Sequence, residues 1–212
     1  MSIVRSRTAH AVVDRPRGRT MGWWALWTTL TALSTGIAGI CAAALYLHSG
    51  QPAWPPAPLE RPGSGYALAM VALTAAGALV THRAKAQLRE AKRRDATGSL
   101  LLAGALTTGV LVLAGVDLAN AGFRWDAHAY ASVYWTNTVI AAVFVGVGVI
   151  MQAAVTVQRL IGVLDEERML ELELTSDYLW WCIPAASAVL AVAHLLPDPA
   201  GGAAVALQVV GR

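Results

Sequence analysis

Five histidines, two cysteines and a few acids are the residues of this 212-residue chain with the types to do chemistry. A haem site needs histidines facing a bundle interior, and a copper or iron site needs several His or Cys converging. His10, His48, His82, His128 and His194 are scattered instead, and the last four stand near the ends of apolar runs, as interfacial residues do. Cys41 and Cys182 lie singly inside apolar runs and read as small packing residues. There is no Gly-rich phosphate loop, no cysteine pair at ligand spacing and no nucleophile motif. The expectation is therefore no catalytic residue, no cofactor ligand and no metal site on this chain. Ionisable residues inside a membrane point to function by default, which singles out Asp117, with Asn120 one turn on, and Asp177. Each is close enough to an apolar run's end to be hydrated or to cap a helix. Asp126 and His128 form a polar pair just before the fourth run and are expected to fix the Gly122–Tyr130 loop by hydrogen bonds or by ion pairing with Arg124.

The elements that must carry these residues are set by composition. Hydrophobic residues make up 56 % and charged residues 14 %, against roughly 25 % charged in a soluble domain. A water-soluble enzyme and a disordered chain are both excluded. The apolar residues form five blocks, Met21–Leu47, Gly65–Thr81, Gly98–Val116, Ala129–Gln158 and Tyr178–Leu196. About 20 helical residues cross a hydrocarbon core, whereas barrel strands use about 10 and alternate with a period of two. The expected fold is an all-α integral membrane bundle of five transmembrane helices over residues 21–196, between a basic arm (1–20) and a C-terminal tail (197–212). The first run is too long for the apolar stretch of a secretory signal, and Ile40 before Cys41 suits no lipoprotein cleavage site.

The net charge of +3 is topological rather than a nucleic-acid signal. Arg5, Arg7, Arg15, Arg17 and Arg19 precede the first span; Arg83, Lys85, Arg89, Lys92, Arg93 and Arg94 follow the second; Arg61 and Arg124 stand alone in the first and third connections. Basic segments stay cytoplasmic, so the N-terminus is expected inside and the C-terminus outside. The Arg-rich segment also suits lipid headgroups. Five prolines between residues 49 and 65 favour an extended connection, with Trp54 at the outer interface. Residues 81–95 are expected to prolong the second span as a helix. Residues 163–176, where Leu alternates with acids, suit an amphipathic helix or an extension of the fourth span. Pro184 is a candidate kink in the fifth. The small-residue faces Gly36, Gly39 and Ala43, and Gly146 and Gly148, suit close contact with other helices.

Several motifs then fall in order. Trp54-Pro55-Pro56 follows the first span; Thr81-His82-Arg83-Ala84 and Leu88-Arg89-Glu90-Ala91-Lys92-Arg93-Arg94 close the second; Gly122-Phe123-Arg124-Trp125-Asp126-Ala127-His128-Ala129-Tyr130-Ala131-Ser132-Val133-Tyr134 enters the fourth. Together they resemble cytochrome c oxidase subunit III, over about residues 22–196, in the short five-helix bacterial form. The family has a Trp-Pro-Pro loop, a helix leading into a basic segment, and a Phe-x-x-x-x-His-x-Tyr-Gly-Ser entry to its penultimate helix, where Ala131 stands in the Gly place. The chain departs from it elsewhere. The family's Ser-Glu pair in the first of these helices has Leu30 or Leu33 in the Glu place, its His-Gly-x-His segment becomes Ala141-Ala142-Val143-Phe144, and Asp117 and Asn120 replace a Gln and a Glu. Ser176-Asp177-Tyr178-Leu179-Trp180 matches its final Trp-His-Phe-x-Asp segment poorly. The resemblance implies a subunit of the bacterial plasma (inner) membrane without haem or copper of its own. It would pack on the catalytic subunit of a haem–copper terminal oxidase that carries both and passes electrons from cytochrome c to oxygen. It would also meet other respiratory-complex subunits, bind phospholipid, and support proton uptake and durability. Residues expected at subunit or lipid contacts are Gly39, Gly146, Trp54, Asp126, His128, Arg93 and Arg94. The related subunit of nitric oxide reductase, a small transporter and an assembly factor are the alternatives, and co-purification with a haem spectrum separates them.

Overall fold

A computed structural model describes residues 21–57, 59–90, 92–164 and 169–196. The expected arm (1–20) and tail (197–212) lie outside the described residues. Five helices run in order: α1 (Met21–Ser49), α2 (Gly65–Arg89), α3 (Arg93–Ala119), α4 (Ala129–Leu160) and α5 (Leu170–His194). All five are long and apolar enough to cross a membrane, and no strand occurs among the described residues. The chain is a multi-pass membrane protein.

In hydrocarbon every polar backbone and hydroxyl group needs a partner within the protein. Helices meet this demand locally. In α1 the hydroxyls of Thr29, Thr31, Ser34 and Thr35 each bond the carbonyl four residues back at 2.8–3.1 Å, so an exposed face with many hydroxyls stays compatible with lipid.

Helices α2 to α5 close a ring, each packing on the next and α5 returning to α2, while α1 lies outside it against α5 and, more lightly, α4. The ring's core is built of small and medium side chains, among them Ala67, Met70, Val110, Ala114, Ala141, Val145, Ala186 and Val189. Small residues let helix backbones approach without a hydrophobic driving force. The tightest approach is at Gly77, where a Cβ would lie 2.7 Å from Thr107 Cγ2. Helix α1 touches the ring through one stripe, Leu30, Ile37 and Ala44, at seven-residue spacing.

Two connections differ from expectation. Residues 81–95 do not continue as one helix. α2 stops at Arg89 and α3 starts at Arg93, with the Lys92 N–H bonding Gln87 O at 2.9 Å across the reversal. The reversal lets Ala84 and Leu88 bury against Ala96 and Leu100. Residues 170–176 belong neither to a separate amphipathic helix nor to α4. They open α5, which therefore starts eight residues before the expected span. α4 ends at Leu160 in a Schellman motif: Gly162 takes φ +78°, its N–H reaches Arg159 O, and the Val163 N–H reaches Gln158 O. The left-handed backbone there is easy only for glycine. Pro184 stays inside a continuous α5.

Candidate functional site

The end of the bundle that holds the α1–α2 and α3–α4 connections carries most of the distinctive side chains. The Pro-rich α1–α2 connection folds over this end rather than standing off it. Trp54 is consequently 1 % exposed, packed inside the chain rather than at the expected subunit or lipid contact. Its ring meets Tyr130 edge-on at 5.2 Å and His48 at 5.4 Å, arrangements favoured by the aromatic quadrupole. Arg61 Nη2 donates to Trp54 O at 2.9 Å and to Leu196 O at 2.6 Å, tying the connection to the end of α5. From Tyr130 the ring contacts continue through Phe123 to Tyr134, at 5.8 and 5.4 Å.

The α3–α4 connection is fastened by its own polar residues, as expected for Asp126 and His128. His128 is the N-cap of α4, its Nδ1 accepting from the Tyr130 N–H at 3.3 Å. Arg124 and Asp126 form a two-point ion pair at 3.2 and 3.3 Å. Both are well exposed, so the pair contributes only about 0–1 kcal/mol. Helix α4 holds the connection from the other side, with the Ser132 hydroxyl on Trp125 O at 2.8 Å and the Trp135 indole N–H on Phe123 O at 3.2 Å.

Beneath this layer sits a cluster that reading the residues one by one did not assemble. Asp117 of α3, Tyr134 of α4 and His194 of α5 are 2 %, 0 % and 3 % exposed. The Tyr134 hydroxyl donates to Asp117 Oδ1 at 2.7 Å. His194 Nε2 lies 3.8 Å from Asp117 Oδ2, beyond hydrogen-bond reach, and its ring sits 4.9 Å from that of Tyr134. Asp117 Oδ2 and both imidazole nitrogens have no hydrogen-bond partner. Asp117 is thus neither hydrated nor a helix cap, an expectation that burial corrects, while His194 stands at the end of α5, as expected, but turned into the bundle. An acid, a phenol and a base from three helices lie together inside the bundle, with the phenol bonded to the acid and the base just beyond its reach. The only sequence signal was positional: α3 ends and α5 ends at the same side of an up-and-down bundle. Asp177, by contrast, is half-buried two turns into α5 rather than at its start.

Other polar residues pin the opposite, basic end. Gln152 Nε2 donates to Leu100 O at 3.2 Å, while its Oε1 accepts from the Thr81 hydroxyl at 3.2 Å. Arg89 pairs with Glu173 at 2.6 Å on the surface. Across the α2–α3 reversal Lys92 and Glu90 pair in water; the ammonium holds the Glu90 carboxyl below the usual range, and the carboxylate raises Lys92. Arg94 is exposed and, with Arg83, Gln87 and Ser99, lines an open depression of about 530 Å³. Arg93 opens α3. Among the described residues no three His, Cys, Asp or Glu side chains converge as metal ligands would.

No family model and no curated protein matches this chain. The placement of the expected contact residues therefore rests on geometry. Trp54, His128 and Asp126 gather at one end, and Arg93 and Arg94 at the other. Gly146 lies within the ring's packing, a Cβ there standing 3.8 Å from Leu111. Gly36 and Gly39 look away from the chain's own helices, with nothing within 4 Å of a Cβ at either.

Proposed function

We propose that the chain is a non-catalytic subunit of a haem–copper terminal oxidase in a bacterial plasma membrane, supporting the stability, lipid binding and proton uptake of the catalytic subunit. The haem and copper belong to that partner. The supporting observation is the contact of Trp54 with Tyr130 at 5.2 Å. The Trp-Pro-Pro stretch and the His-x-Tyr stretch are the two most distinctive points of resemblance to cytochrome c oxidase subunit III. Far apart in sequence, they pack as one unit, with His128 capping the helix that carries Tyr130. The chain's own part is then mechanical: a sealed loop end, a tight ring, and an outer helix with most of its surface free for neighbours.

A small proton-coupled transporter is the second reading, and the buried Asp117–Tyr134–His194 cluster favours it. Deleting the chain separates the two. The subunit reading expects cytochrome c oxidation by the remaining complex to start at nearly the full rate and decay faster over repeated turnover. Unchanged oxidase activity and durability in the deletion strain would contradict it.

A further inference from the structure

We infer that the hollow between α2 and α3 at the basic end of the bundle binds one anionic phospholipid, its phosphate held by Arg83 and Arg94 and its acyl chains leaving past Val80 and Leu102. The two helices run back to back from the reversal between Arg89 and Arg93, and both line the same space of about 530 Å³. Along α2 the lining residues pass from Gln87 through Arg83 to Val80, about one turn apart. Along α3 they pass from Arg94 through Gly98 to Leu102. On both helices the order is the same, polar near the reversal and apolar farther in. Leu102 stands eight residues beyond Arg94, about 12 Å along the axis. The polar layer outside a bilayer's hydrocarbon core is roughly 5–8 Å thick. A hollow of that length therefore begins among headgroups and ends among acyl chains.

Charge selects the lipid. At this end Arg89 pairs with Glu173 and Lys92 with Glu90. Arg83 and Arg94 are exposed and make no ion pair or hydrogen bond among the described residues. Against their two guanidinium groups the hollow sets one carboxylate, Asp95, so its lining is net positive. Guanidinium and phosphate match as paired, charge-assisted hydrogen bonds. The Ser99 hydroxyl donates to Gln87 Oε1 at 2.7 Å, which leaves the Gln87 amide N–H groups as further donors. A zwitterionic headgroup carries a cation that two arginines repel, whereas a phosphatidylglycerol headgroup carries none. Free phosphate would use the arginines and leave the apolar end without a purpose. Gly98 puts no side chain into the space, and a Cβ there would meet nothing within 4 Å. The inference gives a place and a class to the lipid binding of the subunit reading and rests on it only there; it needs no haem-bearing partner.

The test is native mass spectrometry of the purified full chain in mild detergent, with phosphatidylglycerol, phosphatidylcholine of the same acyl chains, or inorganic phosphate added. One phosphatidylglycerol per chain is expected, held about tenfold more tightly than phosphatidylcholine and not displaced by equimolar phosphate. Arg83→Gln and Arg94→Gln are each expected to weaken it about fivefold, the effect of one cation beside an anionic headgroup. Asp95→Asn is expected to tighten it. Gly98→Leu is expected to abolish it with the melting temperature unchanged, because the added Cβ enters open space. Equal retention of the two lipids, retention indifferent to both arginine variants, or displacement by equimolar phosphate would each overturn the inference. Selective retention by a chain that never co-purifies with haem would overturn the oxidase reading and leave this one standing. A haem-bearing complex whose chain shows no lipid preference would overturn this one alone.

Discussion

Asp117 shows how a residue's neighbours, not its type, decide what it does. Its carboxyl receives one hydrogen bond, from Tyr134, and faces His194 without a second. Removing that donor leaves a buried polar group unpaired, which costs about 1–3 kcal/mol. Tyr134→Phe should therefore lower the stability of the purified chain by about that amount in a detergent melt, although it deletes a single oxygen. An unshifted melt would mean that Asp117 finds another donor. His128→Ala removes the N-cap of α4, a loss of about 1 kcal/mol. It is expected to weaken retention in the complex while leaving initial oxygen reduction nearly intact; an immediate tenfold fall in turnover would place the loop in the chemistry. The bonding within Arg124–His128 was legible in the sequence because its partners are neighbours there. The Asp117–His194 approach was not, since 77 positions separate them and only the bundle's topology brings them together.

At the level of the elements, glycine substitutions separate contacts that yield from contacts that do not. A Cβ at Gly77 meets the β-branched Thr107, whose hydroxyl already bonds Ala103 O at 3.0 Å. Rotating Thr107 away breaks that bond. A Cβ at Gly148 meets Leu179 Cδ2 at 2.8 Å, the far end of a flexible side chain. Gly77→Ala is thus expected to destabilise the α2–α3 pair by about 1–3 kcal/mol, and Gly148→Ala by clearly less; thermal melts of the two variants side by side check the order. The five spans themselves were legible, because nothing but a membrane explains apolar runs of that length. Their ends were less so. A basic, helix-favouring stretch gives no local sign of where α2 must turn back, and the turn is decided by Leu88 and Leu100 packing together. The end of α4 was not read from the sequence either, which left residues 163–176 open as its extension; Gly162 takes the left-handed backbone that stops it.

For the whole molecule, the arrangement of charge predicts an orientation. Eleven of the 16 basic residues fall before α1 or between residues 83 and 94, which the positive-inside preference places in the cytoplasm. In a chain with Cys41 and Cys182 replaced by alanine, Ala57→Cys should react with an impermeant thiol reagent from outside and Gln87→Cys only from inside. Reversed accessibility would invert the bundle. Helix α1, packed outside the ring of the other four, is the element that the proposed place in a larger assembly would use. The most direct test of that assembly is a mild-detergent affinity purification of the tagged full chain from aerobically grown cells, read by its reduced-minus-oxidised visible spectrum. The account predicts a stable complex with haem absorbance and cytochrome c oxidase activity. Recovery of the chain alone, folded and without haem absorbance, would contradict it.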